Sequence, residues 1–260
     1  MDTKFEAALR ACAMGNLSGA RQICRAILIV EPEHREALIM LADLCQRGGD
    51  AEEAAEVCLH RLATAPKDPR AAFILGEARL SQNRIAEAVQ AFRSAAEAAP
   101  HDGRCHARLG AALRRAEEHD AAAASYARAT ACKPADQSHF LEFATFLITL
   151  GRDREAVDVL DEATQLFPEN PRLWWMLADR LRASGRREAA LGAYRRGTAC
   201  RPRVFGVFYD YATLLLELGR ADAALDVARN AQAVEPDHPM AASLLRTVVL
   251  MSGNRTAYAN

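Results

Sequence analysis

A period of 34 residues runs through the whole amino-acid sequence, which is 260 residues long. Seven of its ten prolines follow one another at this interval, and each of the other three lies three residues after one of the seven. A repeat of this length is typical of a helix pair that buries its apolar face only by stacking on its neighbours. The seven periodic prolines are Pro32, Pro66, Pro100, Pro134, Pro168, Pro202 and Pro236.

Each repeat can be interpreted as two antiparallel helices. In residues 171–204, Trp174 and Leu181 lie on one face of the first helix, because apolar residues recur there at steps of three and four. Pro202 stops the second helix, and a glycine permits the turn between the two. This turn position holds Gly15, Gly49, Gly151, Gly185, Gly219 and Gly253, with Asn83 and Glu117 as its two exceptions.

Alanine is unusually frequent, with 55 residues in the chain. It has the best helix propensity, and its short side chain lets two helices approach closely. Ala178 and Ala190 recur at fixed repeat positions on the two helices of one repeat. We predict that the two backbones meet there, so that a larger side chain would overpack the contact at a cost of ~1–3 kcal/mol.

One repeat carries, in order, Trp174, Leu177, Ala190, Tyr194 and Pro202. This spacing closely resembles the W-x₂-L … A-x₃-F … P pattern of the tetratricopeptide repeat family. The resemblance implies an all-α fold, a right-handed α-α superhelix of antiparallel helix pairs.

We expect residues 1–260 to form one such solenoid, with a final helix over residues 239–252 that ends in a turn at Gly253. The seven full repeats are predicted to begin at residues 1, 35, 69, 103, 137, 171 and 205.

Composition argues against several classes of protein. The 33 basic and 34 acidic residues leave a net charge of −1, which argues against bulk binding to nucleic acid or to acidic membranes. No apolar run approaches the ~20 residues that a membrane helix needs, and the sequence does not begin like a secretory signal. The seven cysteines include no CxxC pair, which predicts free thiols in a reducing cytoplasm.

Motifs for catalysis are absent from the sequence. The histidines form no zinc-binding motif, and the glycines lie at helix turns rather than in a phosphate-binding loop. Paired acidic residues such as Glu52 and Glu53 lie where a second helix begins, and there they oppose the positive end of the helix dipole. We therefore predict a protein without enzymatic activity, cofactor or metal.

In the tetratricopeptide repeat family the first helix of each repeat lines a concave groove, so repeat position implies which residues do so here. We expect this groove to bind a peptide or protein partner that offers acidic and apolar groups. Aromatic residues and Met176 would act as apolar anchors, and Arg104 with Arg108 would contact an acidic group. The predicted groove residues are Ile39, Asp43, Arg70, Phe73, Glu77, Arg104, Arg108, Arg115, Glu142, Trp175, Met176, Asp179, Arg182 and Tyr209.

Charge patterning leaves two alternatives open in the central repeats. Arg104 and Arg108 could contact a partner, or they could pair with Glu77 and Glu142 of the adjacent repeats. The sixth repeat holds nine arginines, which could bind nucleic acid or form ion pairs with the acidic repeats beside it. We favour the ion pairs, with Arg195 and Arg196 lying beside Asp161 and Glu162, because no nucleic-acid motif accompanies the arginines.

The preferred function is a scaffold that holds a protein or peptide partner. One alternative is the recruiting arm of a larger bacterial enzyme such as a transferase, in which the protein continues beyond Asn260. Another is self-assembly into a homo-oligomer through the final helix, because its segment Leu244–Met251 is more apolar than a solvent-facing cap requires. Neither nucleic acid nor insertion into a membrane is expected.

Overall fold

The computed structural model describes the backbone of residues 3–257 and the side chains of residues 3–251. This part of the chain is all α-helical and contains no strand. The helices are α1 Thr3–Ala13, α2 Leu17–Val30, α3 Arg35–Arg47, α4 Ala51–Thr64, α5 Pro69–Ser81, α6 Ile85–Ala98, α7 Gly103–Arg115, α8 His119–Ala131, α9 Gln137–Thr149, α10 Asp153–Leu166, α11 Pro171–Ala183, α12 Arg187–Ala199, α13 Phe205–Glu217, α14 Ala221–Val234 and α15 Pro239–Ala257.

The helices keep the period of the sequence. From α3 onward, every first helix of a repeat begins 34 residues after the previous one. The chain divides into two compact units, of which unit 1 comprises residues 1–139 and unit 2 residues 140–260. Within unit 1 each helix from α1 to α8 packs on the next, and within unit 2 the same holds from α10 to α15. One continuous solenoid over the whole chain stays a prediction.

Small residues bring the helices of a repeat together. Ala178 and Ala190 have no exposed surface, which agrees with the predicted close approach of α11 and α12. In unit 1, a methyl group added to Gly76 on α5 would come within 2.6 Å of the Phe92 ring on α6. The aromatic side chain of the second helix therefore fills the space that glycine leaves on the first.

The turn between the two helices has the same backbone conformation in repeat after repeat. Five of the predicted glycines have positive φ angles, between 69° and 86°. Asn83 and Glu117 adopt the same conformation, with φ angles of 60° and 62°. The predicted turn at Gly253 is wrong, because α15 continues through this residue to Ala257. Glycine permits a left-handed turn but does not impose one, and within a helix it costs only about 1 kcal/mol relative to alanine.

Side chains at one recurring position cap the first helices. Asp68, Asp102, Asp136 and Asn170 each accept a hydrogen bond from the backbone N–H two residues later. These bonds satisfy donors that the first helical turn leaves free, each worth ~1 kcal/mol. The period of the sequence is therefore also a period of helix starts.

The predicted pairing of Arg195 and Arg196 with Asp161 and Glu162 is wrong for the part of unit 2 whose side chains are described. The Arg196 guanidinium instead lies over the Trp174 ring, 5.4 Å from its centroid, and Asp161 accepts a hydrogen bond from Gln165. A cation over an indole face gains ~0.5–1 kcal/mol at an exposed site, which is comparable to an exposed ion pair.

Ion pairs between repeats do form in unit 2 through other arginines. Arg180 pairs with Asp153, Arg182 with Glu217, and Arg220 with Glu188. Among residues 3–257, no helix is both long enough and apolar enough to cross a membrane.

Candidate functional site in unit 1

Two adjoining clefts lie between the first helices of unit 1. The Phe73 cleft, formed by α3, α5 and α7, has a volume of about 240 Å³. Its lining residues are Asp43, Gln46, Pro69, Arg70, Phe73, Ile74, Glu77, Ala99, Asp102, Arg104 and Cys105.

The Phe5 cleft, formed by α1, α3 and α5, has a volume of about 340 Å³. It shares Asp43 and Arg70 with the Phe73 cleft, so the two form one stepped groove along successive first helices. Its lining residues are Phe5, Leu9, Cys12, Arg35, Glu36, Ile39, Met40, Asp43, Leu44 and Arg70.

The helical period explains why these side chains meet. Residues one repeat apart occupy the same face of successive first helices, because the helices begin at the same interval. Six of the residues expected in the groove line the two clefts; they are Ile39, Asp43, Arg70, Phe73, Glu77 and Arg104. Binding of a partner by these residues stays a prediction.

Phe5 and Leu9 belong to the site but are missing from the sequence-based set of groove residues. They lie one repeat before Ile39 and Asp43, so extending the same positions to the first repeat would have found them. Leu9 is half exposed, whereas Ile39 is only 7% exposed and contributes to the floor of the cleft.

The Phe73 ring forms an apolar wall with a fixed orientation. It packs edge-on against Phe92 of α6, with ring centroids 5.6 Å apart. Ile74 beside it is 5% exposed, and burial raises the pKa of the Cys105 thiol to about 11. This part of the cleft is therefore an apolar surface rather than a site for thiolate chemistry.

Two arginines and three carboxylates line the Phe73 cleft, and of these five charged groups only Arg70 lacks a partner of opposite charge in the described part of the chain. Arg70 is exposed, and its guanidinium has no acidic partner among the residues whose side chains the structure describes. Arg104 donates to Asp102 through Nη2 over 2.9 Å and through Nε over 3.2 Å. The hydrogen bond from Arg104 is the main cause of the lowered pKa of Asp102, and burial opposes it.

Arg108 forms an ion pair within the protein, which is one of the two alternatives that the sequence left open. Its guanidinium binds the Glu77 carboxylate at two points, one of them Nη2 to Oε2 over 2.6 Å. A bidentate pair of this kind fixes both side chains, so we no longer expect Arg108 to contact a partner directly.

Arg115 also lies outside the two clefts. It donates to Asn83 Oδ1 over 2.8 Å and to the Leu80 carbonyl over 3.4 Å, so it joins α7 to the turn of the preceding repeat. This contact joins neighbouring repeats, and a role of Arg115 in binding a partner stays a prediction.

Unit 2 contains its own residues of the predicted groove. The Trp175 indole donates to Asp210, and a methyl group added to Gly206 would lie 2.9 Å from this ring. Trp175 therefore packs on α13 and is only partly available as an anchor. Asp179 pairs with Arg180, and Arg182 pairs with Glu217. The Tyr209 ring is tilted against the Phe205 ring, with centroids 5.9 Å apart. Met176 is half-buried and Glu142 is exposed.

Side chains suited to holding a metal do not gather in this structure. Within the described residues, no three histidine, cysteine, aspartate or glutamate side chains are close enough together to ligate one ion. What the two clefts of unit 1 offer is an apolar surface with guanidinium groups at its edge.

Family models described as tetratricopeptide repeats match residues 11–76, 60–103 and 75–137. A model described as bacterial transcriptional activator domain matches residues 138–207. No curated protein matches the sequence.

Solved structures of repeat proteins resemble the fold at low sequence identity. The C-terminal part of a TPR repeat-containing protein from Cytophaga hutchinsonii is 12% identical, with a TM-score of 0.73 over 93% of this chain and 99% of that one. MamA is 21% identical, with a TM-score of 0.57 over 65% of this chain and 96% of that one. YrrB, described as a TPR protein with an unusual peptide-binding site, is 18% identical, with a TM-score of 0.56 over 73% of this chain and 97% of that one.

The helix pairs, their period and these matches define an all-α repeat protein. Residues 11–137 match tetratricopeptide repeat models, and the fold of the chain is that of solved tetratricopeptide repeat proteins.

Proposed function

We propose that this protein is a non-enzymatic scaffold that holds a peptide segment of a protein partner in the Phe5 and Phe73 clefts. The observation that carries the proposal is that these two apolar clefts share Arg70 and Asp43. A bound segment would place an apolar side chain in each cleft and an acidic group near Arg70. Tetratricopeptide repeat proteins are, as a class, scaffolds for protein interactions, and this supports the proposal.

The charge of Arg70, which is unpaired among the described side chains, favours an acidic group in the partner, because the three carboxylates that line the Phe73 cleft already lie beside arginines; they are Asp43, Glu77 and Asp102. The Arg70 guanidinium can form two parallel hydrogen bonds with one carboxylate, which gives both affinity and orientation. Arg104 is largely exposed, with 75% of its side-chain surface accessible, so it can exchange Asp102 for a carboxylate of the partner. Asp43 at the junction of the clefts lies 3.7 Å from Arg47 Nη1, and its carboxylate can also accept a hydrogen bond from a donor group of the ligand.

The site of action that we propose is the cytoplasm. All seven cysteines are unbridged in the described part of the chain, and burial raises the pKa of Cys58 to about 12. Thiols in this state suit a reducing compartment.

The test selects peptides from a random dodecapeptide library on the immobilised full-length chain and measures their affinity by calorimetry. We expect peptides with apolar residues next to Asp or Glu, and at least tenfold weaker binding to the variant Arg70→Glu with Arg104→Glu. The matched control is Arg172→Glu, because Arg172 is exposed at the same repeat position in unit 2. Equal affinity for wild type and the double variant would remove the clefts from the function.

The match of residues 138–207 to the bacterial transcriptional activator domain favours a second candidate function. In this candidate, unit 2 makes the protein contacts of a transcription regulator. Chromatin immunoprecipitation of the tagged chain from its host is then expected to enrich promoter DNA, and a lack of enrichment would contradict this candidate. A role as the recruiting arm of a larger enzyme, and self-assembly through α15, stay predictions.

A further inference from the structure

A second groove lies in unit 1 between the second helices α6 and α8. It has a volume of about 880 Å³, which is larger than either cleft described above. Its floor is α7, through His106, Leu109 and Leu113. Arg104, which lines the Phe73 cleft, lies on the opposite face of α7, and the groove shares no lining residue with either cleft. The groove is therefore a separate surface from the proposed peptide site.

Exposed alanines form the α8 wall of this groove. Ala121, Ala124 and Ala131 of α8 line it and are exposed. They span ten residues, or about 15 Å along the helix axis at 1.5 Å per residue. Walls of such short side chains let another helix approach to the 8–10 Å axial distance typical of packed helices.

The rim of the groove carries an excess of positive charge. Arg93, Arg128 and Lys133 line it and are exposed, and Glu97 is the only carboxylate among its lining residues. Within the described part of unit 1, none of the three cations forms an ion pair. Their charges are therefore available to a ligand with carboxylates at intervals along its length.

The floor of the groove holds a buried polar atom without a partner. His106 is 6% exposed, and its Nε2 lies 3.0 Å from the Pro100 carbonyl, to which it donates. The Nδ1 atom is then an acceptor, and it has no hydrogen-bond partner. Beside it, Leu109 and Leu113 are 7% and 2% exposed, so the exposed alanines of α8 supply most of the apolar surface of the groove.

We propose that this groove binds an acidic amphipathic helix of a partner protein. The exposed alanines of α8 contact the apolar face of this helix, and Arg93, Arg128 and Lys133 pair with carboxylates on its flanks. Because this site is on another face of unit 1, its occupancy is independent of the Phe5 and Phe73 clefts. Together the two surfaces would let the scaffold hold two partners at once.

The probe is a fluorescein-labelled, N-acetylated, C-amidated peptide of sixteen residues in which glutamate, alanine and leucine alternate to form an acidic amphipathic helix. Its binding to the full-length chain is measured by fluorescence anisotropy. We expect saturable binding that the variant Arg93→Glu with Arg128→Glu weakens at least tenfold. The control Arg195→Glu leaves the affinity unchanged, because Arg195 is exposed at the same repeat position as Arg93 but lies in unit 2. A peptide with lysine in place of glutamate is not expected to bind.

A second variant tests the shape of the groove. Ala124→Leu fills a wall at an exposed position, so the fold should tolerate it, and we expect it also to weaken binding at least tenfold. Circular dichroism and thermal melting check that the variants remain folded. Any of three results would overturn the proposal: no saturable binding, equal binding to the double variant, or tighter binding of a 20-base-pair DNA duplex that the double variant also abolishes.

Discussion

The Trp175 indole Nε1 donates a hydrogen bond to Asp210 Oδ2 over 2.7 Å, and this bond joins α11 to α13 in unit 2. Burial raises the pKa of Asp210, and the bond from Trp175 acts in the opposite direction. Two side chains that lie 35 residues apart in the sequence therefore depend on each other for their burial.

Trp175→Phe should destabilise unit 2 by about 1–3 kcal/mol, because it leaves a partly buried carboxylate without its donor. Asp210→Asn keeps an acceptor for the indole and should cost less than Trp175→Phe. The pKa of Asp210 is higher in the folded than in the unfolded protein, so folding favours its protonated form. The stabilisation from this protonated carboxyl group is therefore complete below pH 3.8 and is lost as the pH rises through the folded-state pKa. Urea unfolding at pH 4 and pH 7 measures the loss of unfolding free energy in each variant and its dependence on pH. Equal losses from Trp175→Phe and Asp210→Asn would contradict the role of the bond.

Two glycine substitutions should change stability in opposite directions. Gly76→Ala places a methyl group 2.6 Å from the Phe92 ring and should cost about 1–3 kcal/mol by overpacking. Gly192→Ala meets no atom within 4 Å on helix α12 and should stabilise the protein by about 0.5–1 kcal/mol. Thermal melting of both variants is the measurement, and stabilisation by Gly76→Ala would show that the two helices are packed less tightly than described.

Glu117→Gly should stabilise unit 1 by about 1 kcal/mol. Glu117 has a φ angle of 62°, a conformation that is strained for a side chain and free of strain for glycine. Asn83→Gly is the matched comparison, since Asn83 has almost the same φ angle. Asn83→Gly should stabilise the protein less than Glu117→Gly does, because asparagine tolerates this conformation and because Asn83 accepts a hydrogen bond from Arg115. Chemical unfolding that ranks Asn83→Gly as the more stabilising change would count against this account.

Asp68 should give unit 1 an acid-sensitive contribution to stability. Its burial raises the pKa, but hydrogen bonds from Arg35 and Arg61 outweigh this effect, and the net pKa is lowered. The pKa of Asp68 is lower in the folded than in the unfolded protein, so folding favours its ionised form. The stabilisation from the ionised carboxylate is therefore present above pH 3.8 and is lost as the pH falls through the folded-state pKa.

Asp68→Asn isolates this charge. Asn170 caps α11 at the same repeat position, so asparagine can preserve the cap. We expect a loss of roughly 2–3 kcal/mol at pH 7, since hydrogen bonds to a charged group are removed. The difference from wild type should shrink below pH 4 in urea titrations, and a difference independent of pH would assign the loss to the cap instead.

Four buried thiols should resist modification in the native protein. Burial raises the pKa of Cys24 and Cys105 to about 11, and of Cys45 and Cys58 to about 12. Titration with a chromogenic disulfide at pH 8 should therefore label these cysteines only after denaturation, as mass spectrometry of the labelled protein would show. Rapid native labelling of Cys58 would contradict its role as buried filler.

The period of the prolines predicted where helices begin, because the cap and turn residues that start and end a helix act over a few neighbouring residues. It also predicted the positions that face the clefts of unit 1, since residues one repeat apart lie on the same face of successive helices. Applying the repeat positions of Ile39 and Asp43 to the first repeat would have added Phe5 and Leu9 to the site. These features depend on local backbone chemistry and on spacing, both of which can be counted in the sequence.

The sequence left open which partner each long polar side chain contacts, and for Arg108 it offered Glu77 only as one of two alternatives. Arg108 binds Glu77, Arg196 lies over Trp174, and Trp175 donates to Asp210. Long side chains have several partners of similar energy within reach, and exposed ion pairs differ by less than ~1 kcal/mol. The sequence by itself determined the repeat and its helices. Only the tertiary structure decided which arginines are left free at the two clefts and at the α6–α8 groove, because that depends on distances between helices in three dimensions.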